Sequence, residues 1–281
     1  VLAFALQPAC EHIVRFFGDD IHEGDVILHN DVFSGGNQNN DVAVFRPVFR
    51  DGVLAAWAAC KGHQADIGGA QSGGYNPEAR EVWQEALRIT PIKVHERGEL
   101  RRDVWRMIFA NIRYRIVEED IKAQIGATRV GERGMHELFR RFDGPRFDAC
   151  IAYLFAASER IVRREITAIA DGVYRGESWA FYDGVNDGSR MKINLAVTVA
   201  GDEISFDFTG SSPQTPGFVN APYAATASAL LLTFLMLINP DVPHNAGLLR
   251  AIWIVNPEGP FLNARFPAAT TFGNSSTGPT S

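Results

Sequence analysis

The chain is short of cysteine: Cys10, Cys60 and Cys150 are the only three in 281 residues. Odd in number and far apart, they build neither a disulfide framework nor a paired-cysteine zinc site. A reducing cytoplasm is the simplest compartment. Basic charge is also scarce, with 27 Lys and Arg against 33 Asp and Glu and a net charge of −6. That balance argues against nucleic acid or an anionic membrane as the main partner. Long hydrophobic runs are missing. The most apolar stretch, 224–238, contains Thr226, Ser228 and Thr233 and falls short of the roughly 20 residues that span a bilayer. It reads as a buried helix. No basic leader precedes Val1–Leu6. No P-loop, dinucleotide fingerprint, G-x-S-x-G elbow or HExxH occurs. The chain begins inside an apolar pattern without an initiator Met and stops just after a dense polar loop, so a piece of a longer polypeptide is expected.

What the chain has in quantity is glycine and short polar side chains, concentrated between Asn30 and Gly69. Asn30-Asp31 leads into Gly35-Gly36 and a run of Asn and Asp ending at Asp41; Gly62-His63 leads into Asp66 and Gly68-Gly69. Two apolar runs joined by Asp51-Gly52 lie between, a strong hairpin signal. With a two-residue turn, Asn40 faces His63. With a bulge the register moves by one and Asp41 faces His63. Either way a carboxylate and an imidazole meet at the open end of one hairpin, close enough to share a proton or a divalent ion. Gln38 could add an amide oxygen. The same pair could equally be a hydrogen bond that ties the hairpin shut.

Around this hairpin, helices are expected over 9–17, 78–87, 101–141, 145–168 and 224–238, and strands near 26–28, 42–49, 53–60, 89–94, 172–175, 179–182, 191–200, 203–208 and 252–255. In the 145–168 helix Tyr153, Leu154, Ile161 and Ile166 are expected inward, with Glu159–Glu165 as its solvated face. His95, His136 and His244 read as ordinary surface or core histidines. The loops Asp207–Gln214 and Phe272–Gly278 could line a pocket. The fold class is α+β, with antiparallel hairpins and a meander packed with several helices. One segment, 1–281, is expected in three parts: 1–90 with the hairpin and glycine loops, 91–168 helical, and 169–281 an antiparallel sheet with the buried helix.

The ordered motifs resemble the hydantoinase B/oxoprolinase family. They begin with Gly24-Asp25-Val26, Asn30-Asp31, Gly35-Gly36, Asp41, His63 and Asp66-Ile67-Gly68-Gly69, continue through Pro91-Ile92-Lys93 and Ala110-Asn111-Ile112-Arg113, and end with Asp207–Gln214, Asn220-Ala221-Pro222, Asn245-Ala246-Gly247 and Phe266-Pro267-Ala268-Ala269. The resemblance spans nearly the whole chain. It implies a B-type subunit in a hetero-oligomer whose hydantoinase-A-like ATPase partner binds ATP and Mg. In metal-containing members a His-x-x-Asp pair and a later His hold a divalent ion such as Mn or Zn. Here Asp41 and His63 match, but Gln38 stands at the first His.

The resemblance is nearest in feel to ketone carboxylases of the acetophenone/acetone type, on the Gly73-Gly74-Tyr75-Asn76-Pro77 loop, with a ketone and bicarbonate as substrates. Hydrolysis of a cyclic amide is the alternative, and a non-catalytic structural subunit the second. On the enzymatic readings His63, Asp41 and Asp66 are the catalytic candidates. Asn30, Asp31 and the amides of Gly35, Gly36, Gly68 and Gly69 are the substrate-binding ones.

Overall fold

A computed structural model describes residues 4–273. The chain opens with α1 (Leu6–Phe17), closed by Gly18. Pro8 lies inside its first turn, where the missing N–H has no helical partner to lose, so the helix begins before the proline rather than after it. A five-stranded antiparallel sheet follows, in the order β3-β2-β1-β4-β5. Its strands are β1 (Val26–His29), β2 (Asp41–Arg50), β3 (Val53–His63), β4 (Ile92–Glu96) and β5 (Glu99–Leu100). Thus β4, expected as a strand near 89–94, and β5 complete the first sheet, so the start of the 91–168 part is not helical. A single helical turn, α2 (Val82–Glu85), precedes β4.

The 78–87 helix does not form beyond that turn. The Leu87 N–H is taken by the Ile67 carbonyl at 2.7 Å, and the Asn30 side chain bonds both the Leu87 carbonyl and the Ile89 N–H. Those backbone groups serve the loops beside β1 instead of a helix ladder. The helical stretch 101–141 is two helices, α3 (Arg102–Phe109) and α4 (Arg115–Arg141). The break falls where Arg113 turns back onto Asp66.

One face of the sheet (Leu28, Val42, Val44, Val94) packs on Trp105, Ile108, Val117, Ile121 and Ile125 of α3 and α4. The other (Ile27, Ala43, Phe45) packs on Ala9 and Ile13 of α1. The next helix is α5 (Gly144–Thr167), whose N-cap Asp143 accepts from the Arg146 N–H. It buries only the strip Ser158, Val162 and Ile166. Tyr153 and Leu154 therefore face solvent, 65% and 53% exposed, contrary to their apolar character. Nor is the charged run on α5 simply solvated: Arg163 pairs with Glu159, Asp202 and Glu203, and Glu159 also with Arg250.

The second sheet has the order β6-β7-β8-β9. β6 (Gly172–Phe181) is one strand rather than two, paired along its whole length with β7 (Arg190–Ala200). β8 (Glu203–Asp207) continues the antiparallel meander, but β9 (Ile252–Val255) lies parallel to β8. The crossover to β9 runs through α6 (Tyr223–Ile238), the expected buried helix. Its small residues Ala224, Ala225, Ala227, Ser228 and Ala229 allow close packing, and its last turn leaves Met236 and Leu237 exposed. No helix among the described residues is long and apolar enough to cross a membrane. The last described segment returns to the first sheet: the Val82 N–H donates to the Pro267 carbonyl, and Thr270 and Thr271 bond to Glu85. The expected 272–278 loop lies outside the described residues from 274 onward.

Candidate active site

The hairpin turn Asp51-Gly52 has both φ angles positive, +52° and +78°, as a two-residue turn matching the strand twist requires. Arg50 faces Val53 and Phe49 faces Leu54, but Val48 faces Ala56. Ala55 is the extra residue of a β-bulge, and every pair beyond it is moved by one. Asp41 therefore faces His63. Of the two registers that the sequence allows, the bulged one forms, although the bulge sits within β3 rather than in the turn.

Asp41 Oδ1 lies 2.8 Å from His63 Nδ1. The carboxylate is buried and the imidazole open, at 4% and 57% side-chain exposure. Asp41 Oδ2 accepts from Asn37 Nδ2 at 2.7 Å, and Asn37 Oδ1 accepts from the Lys61 ammonium. Four side chains thus form one chain, from half-buried Lys61 through Asn37 and Asp41 to His63. Burial lowers the Lys61 pKa to about 8, against the attraction of Asp41. Alternation along β3 puts Lys61 on the His63 face, opposite Ala43, whose other neighbour is His29. His29 is buried, and burial brings its pKa to about 4, so it is neutral near pH 7.

The other expected site residues lie close by but are engaged within the fold. Asn30 donates to the Asn39 and Leu87 carbonyls and accepts from the Ile89 N–H. Asp31 caps the 32–34 turn and takes Arg88 in a fork, 2.7 and 2.9 Å. Burial pushes its carboxyl up, but Arg88 and Ser34 hold it below the ordinary value. Asp66 accepts from the N–H groups of Gly68, Gly73 and Arg113 and from the Arg113 guanidinium. Burial opposes its charge and those donors outweigh it.

The glycines approach backbone. A Cβ on Gly69, at φ +84°, would lie 2.4 Å from the Glu85 carbonyl oxygen, and one on Gly35, at φ +98°, 2.6 Å from the Ala9 nitrogen. Gly36 and Gly68 are closed in the same way by Asp31 and Asn111.

Gln38 turns its amide nitrogen to the Thr271 carbonyl, 3.5 Å away. Next to it, Glu85 is fully buried and takes the Thr270 and Thr271 N–H groups and Asn39 Nδ2. Burial raises its pKa to about 7, against those donors. Glu85 pins the 270–271 segment beside the Asn37–Asp41 loop.

The donor set does not fit a transition metal. Asp41 and His63 are bonded to each other, Asp41 Oδ2 is taken by Asn37, and among the described residues no third His, Cys, Asp or Glu joins them. A glutamine amide is a poor replacement for imidazole toward Mn or Zn.

Lys61, Glu85 and Arg88 were not expected at the site; Asn37 stood in the polar run and Arg113 in a family motif, neither with a role. Lys61 could have been found, because it stands two residues before His63 on one strand. Glu85 had no signal: its partners are 46, 185 and 186 residues away in the chain.

Known proteins resemble this chain over almost all its length. The hydantoinase B/oxoprolinase family profile matches residues 1–280. The caprolactamase beta subunit of Pseudomonas jessenii is 38% identical over 266 residues, 94% of this chain and 45% of that subunit. The crystal structure of the ATP-dependent caprolactamase from Pseudomonas jessenii superposes with a TM-score of 0.88 at 38% identity, over 95% of this chain and 46% of that one. A nucleotide-free acetone carboxylase shares the fold, with a TM-score of 0.87 at 18% identity, over 98% of this chain and 38% of that one. The chain thus spans under half the length of these relatives. With the α+β architecture and the ordered motifs, these matches place it: the chain belongs to the hydantoinase B/oxoprolinase family.

Proposed function

We propose that this chain is the Asp41–His63 half of a B-type subunit in an ATP-dependent enzyme that opens a cyclic amide. The observation that carries the reading is the buried Asp41 carboxylate on His63 Nδ1. It favours the tautomer in which Nε2 is the proton acceptor, on a ring open to substrate. In this reading an A-type partner with ATP and Mg activates the amide carbonyl as a phosphate ester, in a cytoplasmic hetero-oligomer. His63 then takes the proton from the water that attacks the activated carbon and returns it to the ring nitrogen as the C–N bond breaks; a second water releases phosphate from the resulting acyl phosphate. Lys61 and Asn37 are positioning residues that fix Asp41. Asp66, Asn30 and Asp31 shape the loops rather than touch substrate. The 38% identity to a caprolactamase subunit supports amide hydrolysis.

Ketone carboxylation with bicarbonate is the second reading. It is favoured by the Gly73–Pro77 loop, whose Tyr75 ring packs edge-on against Phe218 and Phe272. His63 would there deprotonate the carbon acid. The test is to assay the full-length subunit with its partner and ATP on lactams and hydantoins, and in parallel on ketones with labelled bicarbonate. Ring opening without label fixation is expected. Fixation without ring opening would replace the first reading by the second, and inactivity on both would leave a structural subunit.

A further inference from the structure

A cavity of about 590 Å³ lies between β4, β5, α3 and α4, within the range of small-molecule sites. His95 faces Val26 at one end of β1, whereas His29 marks the other end, toward Asp41. The cavity is therefore at the far end of the sheet from the Asp41–His63 pair.

Its wall is basic in a protein whose net charge is −6. Arg102, Arg106 and Arg129 line it, and none of the three has an ion pair among the described residues. The one carboxylate in the wall, Glu118, is taken by Lys122 and by the Trp105 indole N–H. Behind the wall, buried Arg46 has a single counter-ion, Glu132, at 3.7 Å. His95 Nδ1 is buried with no partner among the described residues. Burial and the nearby Arg46 and Arg129 keep this ring neutral. The remaining wall is apolar, chiefly Trp105, Ile125 and Leu100.

A concave surface of one sign focuses its field on an oppositely charged ligand. Three unpaired guanidinium forks exceed what one carboxylate can satisfy and suit a phosphoryl dianion with three oxygens. We propose that this cavity binds a small organic phosphate, with Arg102, Arg106 and Arg129 on the phosphoryl group and the organic body against Trp105 and Ile125. The site is separate from the Asp41–His63 machinery and does not depend on the reaction assigned to it.

Calorimetric titration of the full-length subunit with phenyl phosphate, inorganic phosphate and benzoate tests the assignment. Saturable binding of phenyl phosphate is expected, at least tenfold tighter than either fragment probe. The double variant Arg106→Gln/Arg129→Gln should weaken it at least tenfold, and Arg102→Gln alone should weaken it too; all three arginines are solvent-facing, so these variants keep the fold. His63→Ala should leave the affinity unchanged. No saturable binding up to millimolar phenyl phosphate would overturn the proposal, as would equal affinity in the arginine variants. Loss of binding in His63→Ala would move the phosphate to the other site. Arginine variants that fail to assemble with the partner subunit, in a protein indifferent to all three probes, would make the patch a protein contact and refute it.

Discussion

At the residue scale, the site depends on groups held away from their ordinary ionisation. Lys61 is the clearest. A pKa near 8 places the alkaline limb of turnover near pH 8 if its charge steadies Asn37 and Asp41. Lys61→Arg, which stays charged, should remove that limb and keep turnover below it; Lys61→Met should lower kcat about tenfold below pH 8 and converge on wild type above it. A pH–rate profile reads both. The sign for stability is opposite. The unfolded lysine holds its proton to about pH 10.5, so between pH 8 and 10.5 the unfolded chain binds more protons and stability rises while activity falls.

Glu85 gives the second case. Its folded pKa of about 7 lies above the ordinary 4.5. Between those values the folded state binds more protons, so stability falls as pH rises, by about 3 kcal/mol for a group this buried. His29, with its pKa lowered to about 4, acts in the opposite direction between pH 4 and 6.5. The difference between wild type and Glu85→Gln isolates Glu85: the variant should lose the decline between pH 4.5 and 7 in thermal melts. An unchanged slope would contradict a buried, ionising Glu85. Asp41 and His63 were legible because local strand geometry brings them together. Glu85 was not, because its backbone donors come only with the return of the 266–273 segment.

At the scale of elements, one extra residue decides the site. Without the bulge at Ala55, Asp41 would face Gly62 and His63 would face Asn40. Sequence alone allowed both registers, since Asp51-Gly52 fits a two-residue turn as well as a bulged loop. The short α2 shows the opposite situation: 78–87 suits a helix locally, but Ile67 and Asn30 claim its backbone groups. Asp66 belongs at this scale too. By accepting from the Gly68–Gly73 loop and from Arg113, it joins the end of β3 to the α3–α4 connection. Asp66→Asn leaves the Arg113 guanidinium without its counter-charge and should cost about 2–4 kcal/mol of stability in denaturant unfolding. A catalytic Asp66 would instead lose turnover at unchanged stability.

At the scale of the whole molecule, the α+β class and most strands followed from periodicity and turn chemistry, and the helix over 223–238 from composition. The parallel β9 did not, because nothing local to Ile252–Val255 tells which side of β8 it joins. The exposed Tyr153 and Leu154 did not either, because an apolar residue reads as inward until the packing strip of α5 is known. The family was legible from ordered motifs. The choice between amide hydrolysis and ketone carboxylation was not, since both place a base beside an ATP-activated substrate. In the proposed function His63 is that base. The most direct measurement is ATP-dependent turnover by the full-length subunit with the proposed A-type partner, carrying His63→Ala. The ring is mostly exposed and its removal should leave the fold intact, while kcat falls by about 10²–10⁴. A folded, assembled variant with wild-type turnover would contradict the account.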